Sequence, residues 1–118
     1  MIKFRKLFSF SQKEITDTYA RAKIIKKVLG LKLLVAPLDI TSHGSTENHG
    51  KLLIVISRKT GKAHVRNLLR RRIKSIFFEQ KLYQKPTRSV LIVYREATKL
   101  TFEQLQQIMQ AWFAQSNA

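Results

Sequence analysis

The sequence predicts a single α+β domain. Two near-continuous apolar runs of strand character, KLLIVIS (51–57) and RSVLIVYR (88–95), flank a segment, 62–79, whose apolar residues recur at helical spacing. The order strand, helix, strand makes a βαβ crossover that allows both runs to lie in one sheet. A chain of 118 residues can bury one modest core and is too short for two. The domain therefore spans 1–118, with a basic amino-terminal segment at 1–10.

In chain order, residues 11–28 read as the first helix, carrying Ile15, Tyr19, Ala22 and Ile25 or Lys26 near one stripe. LKLLVAPL (31–38) reads as a strand, with Pro37 marking an edge position or the strand's end. TSHGSTENHG (41–50) is a polar loop, since Gly, Ser, Thr, Asn and His crowd there between apolar segments. After the strand at 51–57, the helix at 62–79 and the strand at 88–95, a last helix begins at Thr101. Thr101 and Gln104 fit a capping box, and Phe102, Leu105, Ile108, Met109, Trp112 and Phe113 follow at helical spacing as core residues.

The apolar content of 44% is that of a folding sequence, but the charge is not ordinary. Lys and Arg number 23 against 7 acids, giving a net charge of +16 and a pI near 10.8. Such a balance is the footprint of a nucleic-acid binder, with a basic membrane-surface protein as the rival class. No apolar run approaches the roughly 18–20 residues that span a bilayer. The start, MIKFRKLFSFSQKE, interrupts its apolar residues with Lys and Arg and does not read as a signal peptide. Without a signal or a cysteine, a cytoplasmic location is expected. The lack of cysteine also removes disulfides, thiolate zinc sites and cysteine nucleophiles.

The segment GKAHVRNLLRRRIKS (61–75) holds six cationic side chains and no acid. Projected at about 100° per residue, Val65, Leu68, Leu69, Ile73, Ile76 and Phe77 fall on one half of a helix. Arg66, Asn67, Arg70, Arg71 and Lys74 fall on the other, so the segment is at once a core helix and a basic ridge. Arg72 breaks the pattern: it projects between Val65 and Leu68, so its stem lies along the core edge while its guanidinium reaches outward or finds a partner. A merely solvated face alternates signs at i,i+4 spacing, whereas Lys62, Arg66, Arg70 and Lys74 form a same-sign ladder. Phosphates are the natural counter-charge, because cations that meet a polyanion release its condensed counterions. Asn67 beside Arg66 adds a donor and an acceptor suited to a sugar hydroxyl, a base edge or a neighbouring side chain.

SRKTGKAHVRNLLRRRIKSIFFEQ closely resembles the signature of the bacterial ribonuclease P protein subunit, a glycine-lysine turn leading into a helix with an Arg-Asn and basic-pair pattern. Lys62, Arg66, Asn67, Arg70, Arg71 and Lys74 stand at the signature's positions, with Arg70 where Lys and Lys74 where Arg are common. Arg58 and Lys59 look like the basic pair before the turn. The basic amino terminus, the first helix, the apolar run before the turn and ATKLTFEQLQQIMQAWF are also similar, so the resemblance covers nearly the whole chain.

The resemblance implies an α/β sandwich whose crossover between two parallel strands is left-handed, against the usual preference. It also implies a function: a catalytic RNA with magnesium ions hydrolyses the phosphodiester joining the 5′ leader to mature tRNA, and the protein assists. The basic helix and turn then meet the catalytic RNA, one protein to one RNA, with precursor tRNA as the second partner and neither DNA nor a membrane involved. A cleft between the first helix and the sheet holds the single-stranded leader. There the sequence departs from the family's aromatic lining, offering Ile15 and Tyr19 on the first helix and Ala36 on the first predicted strand, of which Tyr19 alone carries a ring. Stacking contributes about 1–3 kcal/mol per base, so leader binding is implied to rest more on shape and on Lys or Arg contacts, or on other aromatics.

The residues agree with an assisting role. A protein ribonuclease needs a general acid and base, or carboxylates holding metals, and the few acids are scattered. His43 and His49 fall in the polar loop and His64 opens the basic helix, with no adjacent carboxylate to make a catalytic pair. No cofactor bound by the protein alone is expected. A ribosomal or RNA-chaperone protein shares the charge and the basic helix and stays as the alternative, whereas a membrane-surface amphipathic protein shares the charge without the strands.

Overall fold

The computed structural model describes residues 4–28, 30–37, 49–84 and 87–115. Most of the polar loop, including His43, lies outside them. Helix α1 (Gln12–Arg21) starts at Ser11 in a capping box: Glu14 N–H donates to Ser11 Oγ, and Ser11 N–H donates to the Glu14 carboxylate, both at 3.1 Å. The helix ends at Ala22, which is extended at φ −72°, ψ 141°.

The helix expected over 11–28 is therefore too long. Lys23–Val28 form strand β1, antiparallel to β2 (Leu31–Pro37), with Lys23 opposite Val35 and Val28 opposite Leu31. A register shift between Ile24 and Lys26 disrupts the period-2 alternation that marks a strand, and Gly30 turns the hairpin at φ +83°. The predicted stripe changes with it: Thr18 is buried on α1, while Tyr19 is exposed.

Strand β3 (Lys51–Ile56), helix α2 (Ala63–Glu79) and strand β4 (Thr87–Val93) complete the crossover, with β3 and β4 adjacent and parallel. β2 also pairs antiparallel with β4, so the four-stranded sheet runs β1-β2-β4-β3. Pro37 ends β2, as one of its two predicted roles requires. β4 lies inside the sheet, and Val90 and Leu91, on opposite faces, are both fully buried. β3 is an edge strand whose residues 53–56 are only half-buried, a correction to the burial its apolar run suggests.

Alternation along the strands assigns the two faces. Leu33, Leu52, Leu91 and Val93 point to one core, which α2 closes with Leu69, Ile73, Ile76 and Phe77. Burial of each such side chain contributes about 1.5–3 kcal/mol. Helix α3 (Phe102–Gln115) closes the same core with Leu105, Met109, Trp112 and Phe113, and its predicted box forms: Thr101 N–H donates to Gln104 at 2.9 Å and Gln104 N–H to Thr101 Oγ1 at 3.1 Å. Leu68, assigned by projection to the apolar half of α2, is 39% exposed, because the core contact is narrower than half the cylinder. The opposite sheet face carries Ala36, Lys51 and Arg88 in one register row, and α1 covers that end.

Candidate nucleic-acid interface

Between β3 and α2, Arg58–Thr60 form a 3₁₀ turn. Buried Thr60 pins it by donating its hydroxyl to the Val93 carbonyl at 3.2 Å, which leaves Arg58 and Lys59 exposed beside Lys62. Helix α2 then begins at Lys62 with no side-chain cap and no acid in its first turn. Its free N–H groups and dipole add positive potential to that of the side chains.

His64, Asn67, Arg70, Arg71 and Lys74 line an open depression of about 450 Å³ along α2, and none of them is an acid. Asn67 orients a neighbour, since its Oδ1 accepts from Arg70 Nη1 at 3.2 Å. Lys74 is half-buried and holds its ammonium 5.4 Å from the centre of the Phe8 ring. Arg66 stands apart, donating from Nε to the Gly61 carbonyl at 3.2 Å and so bracing the turn. Arg72 is half-buried, as its place at the core edge predicts. The structure thus gathers Asn67, Arg70, Arg71 and Lys74 with His64, and sets Arg58, Lys59, Lys62 and Arg66 at the approach to them. Cations and an amide in one depression suit phosphate oxygens, as charge-assisted donors.

The three residues aligned with the leader cleft are less uniform. Ile15 is half-buried, Tyr19 is 43% exposed, and Ala36, on the second strand of the fold, is 2% exposed. Beside them lies a cluster that sequence reasoning missed. Lys51, buried at the end of β3, donates to Glu14 Oε2 at 2.8 Å; Arg88 Nε lies 3.7 Å from the same oxygen, and the Phe10 ring lies 4.7 Å from Lys51 Nζ. Burial raises the Glu14 pKa, but the hydrogen bonds from Lys51 and Ser11 and the charges of Lys51 and Arg88 outweigh it, so the carboxyl is held below its ordinary value. The available signal was Ser11 followed by Glu14 three residues on, a capping box at the very start of the segment read as the first helix, which fixes where Glu14 stands.

Residues 10–117 match the model of the family described as Ribonuclease P. The chain belongs to that family. Among solved structures, the ribonuclease P protein of Staphylococcus aureus is similar at a TM-score of 0.76 and 17% identity, covering 94% of this chain and 95% of that one. The ribonuclease P protein of Thermotoga maritima is similar at a TM-score of 0.71 and 18% identity, covering 91% of this chain and 96% of that one. At such identities the likeness shows the fold. No curated protein matches the chain by sequence. It is a bacterial-type protein subunit of ribonuclease P, a ribonucleoprotein of tRNA processing, and an RNA partner follows from the family. Among the described residues no helix is long and apolar enough to cross a membrane.

Proposed function

We propose that this ribonuclease P protein binds the catalytic RNA of the enzyme through α2 and the turn before it, and holds the 5′ leader of precursor tRNA between α1 and the sheet. The RNA performs the hydrolysis. The observation that carries this reading is the acid-free depression on α2, where cations of one sign repel one another and a polyanion supplies the missing counter-charge.

The protein's share of the work is electrostatic. Its positive field offsets phosphate repulsion between two RNAs, raises their encounter rate and strengthens substrate binding. In the cleft, the Lys51 and Arg88 charges are partly answered by Glu14, which suits a weakly held, exchangeable strand. Magnesium in this scheme belongs to the RNA: the donors of the depression are mainly cationic and do not suit a metal ion, so no protein step runs through one. One protein per RNA, in the cytoplasm, with neither DNA nor a membrane as partner, completes the reading.

The test is cleavage of a precursor tRNA at low magnesium by the protein alone, a bacterial ribonuclease P RNA alone, and the two together. Cleavage in the mixture alone is the expected result. Cleavage by the protein alone would overturn the division of labour, and failure of the mixture would favour a ribosomal or RNA-chaperone role.

A further inference from the structure

Two phenylalanines remain outside the roles derived so far. Phe4, in the 3₁₀ turn Phe4–Leu7, is 41% exposed and Phe78, near the end of α2, is 36% exposed. Their rings meet edge to face at 5.2 Å and 73°. An edge-to-face pair leaves ring face open, and this one is anchored from beneath: Phe4 packs on Phe8 at 5.1 Å, and Phe8 on buried Phe77 at 5.6 Å.

The pair is continuous with the basic depression. Lys74 lines the depression and lies over Phe8, so one side chain joins the cationic surface to the aromatic one. Exposed Arg5, Lys6 and Lys81 stand near the rings in sequence, against the single acid Glu79. Interfaces between proteins are depleted in lysine, whereas single-stranded RNA supplies phosphates for the cations and a π-face for each ring.

We propose that Phe4 and Phe78 form a stacking site for an unpaired nucleobase of the catalytic RNA, adjoining the basic face of α2. The proposal rests on the RNA-binding role argued above. It gives the protein a base contact on α2, in addition to phosphate contacts and away from the α1 cleft.

The test measures binding of the full chain to a bacterial ribonuclease P RNA across a salt series, for the wild type, Phe4→Ala, Phe78→Ala, Phe78→Leu, Phe78→Trp and Arg70→Ala. Phe78→Leu keeps apolar volume against Phe4 and Tyr83 while removing the π-face, so it reports stacking even where an alanine disturbs folding. The Phe4 and Phe78 truncations are expected to weaken binding roughly five- to hundredfold at every salt concentration, with the slope of log K against log salt unchanged and with Trp restoring affinity. Arg70→Ala should flatten that slope by about one. Wild-type affinity in Phe78→Leu and Phe4→Ala, with Arg70→Ala still flattening the slope, would overturn the stacking site and leave the RNA-binding role standing. Loss of a self-associated form in Phe78→Leu at unchanged RNA affinity would also overturn it, assigning the rings to a second copy of the chain. If the wild type does not bind the RNA, both readings fall.

Discussion

Glu14 meets several groups at once. It completes the α1 capping box with Ser11, accepts from Lys51 at 2.8 Å and stands 3.7 Å from Arg88. Because its pKa in the fold lies below the ordinary value of 4.5, the folded protein binds this proton less readily than the unfolded chain does. The resulting stabilisation is complete above about pH 4.5 and is lost as pH falls through the folded value. Glu14→Gln keeps the shape and the acceptor of the box but removes the charge from beside buried Lys51. It should cost about 1.5–3 kcal/mol at pH 6, and the deficit should be smaller at pH 3, since lowering the pH protonates the wild-type carboxyl progressively. Denaturant unfolding at the two pH values measures this, and an equal deficit at both would reject the ion-pair account. The residue shows what a sequence conceals. Asn67, Arg70, Arg71 and Lys74 were legible because a helix makes neighbours of residues three and four apart, whereas Glu14 and Lys51 are 37 positions apart and meet only through the fold.

Among the elements, those with one dominant period were legible. The βαβ order, the basic helix and the boxed last helix all follow from apolar spacing and capping chemistry, and each forms as that spacing requires. β1 did not follow, because its bulge breaks the alternation, and because a lysine-rich edge strand shows little of the burial by which strands are recognised. What fixes β1 is its turn. Gly30 adopts φ +83°, its carbonyl accepts the Tyr94 N–H at 2.7 Å, and a Cβ there would lie 2.5 Å from the Ala97 backbone nitrogen. The hairpin is thereby packed against the segment that follows β4. Gly30→Ala combines left-handed strain with a collision against main chain, so it should destabilise the fold by about 2 kcal/mol or more, read as a lowered melting temperature. A variant as stable as the wild type would mean that the hairpin turn is not held against Ala97 as described.

At the scale of the whole molecule, a net charge of +16 sits on a body about 40 × 25 × 25 Å across its described residues. At 0.1 M salt the screening length is about 10 Å, so neighbouring cations on α2 repel one another while charges at opposite ends scarcely interact. The destabilisation is therefore local, and so is its remedy. A divalent oxyanion seated in the depression of Asn67, Arg70, Arg71 and Lys74 binds the folded state alone and stabilises it by mass action, about 2.7 kcal/mol at a hundred times its dissociation constant. Chloride at equal ionic strength screens without bridging several donors. Sulfate also strengthens apolar burial in any protein, by exclusion from its surface. The two effects separate in a variant: Arg70→Ala with Arg71→Ala removes donors from the depression while leaving the core intact. The wild type should melt several degrees higher in sulfate than in chloride, at about 4 °C per kcal/mol, and the double variant should lose at least half of that difference. Equal increments in the two proteins would assign the sulfate effect to general exclusion, leaving α2 stable without a seated anion and removing the argument that its charge ladder is completed by phosphate.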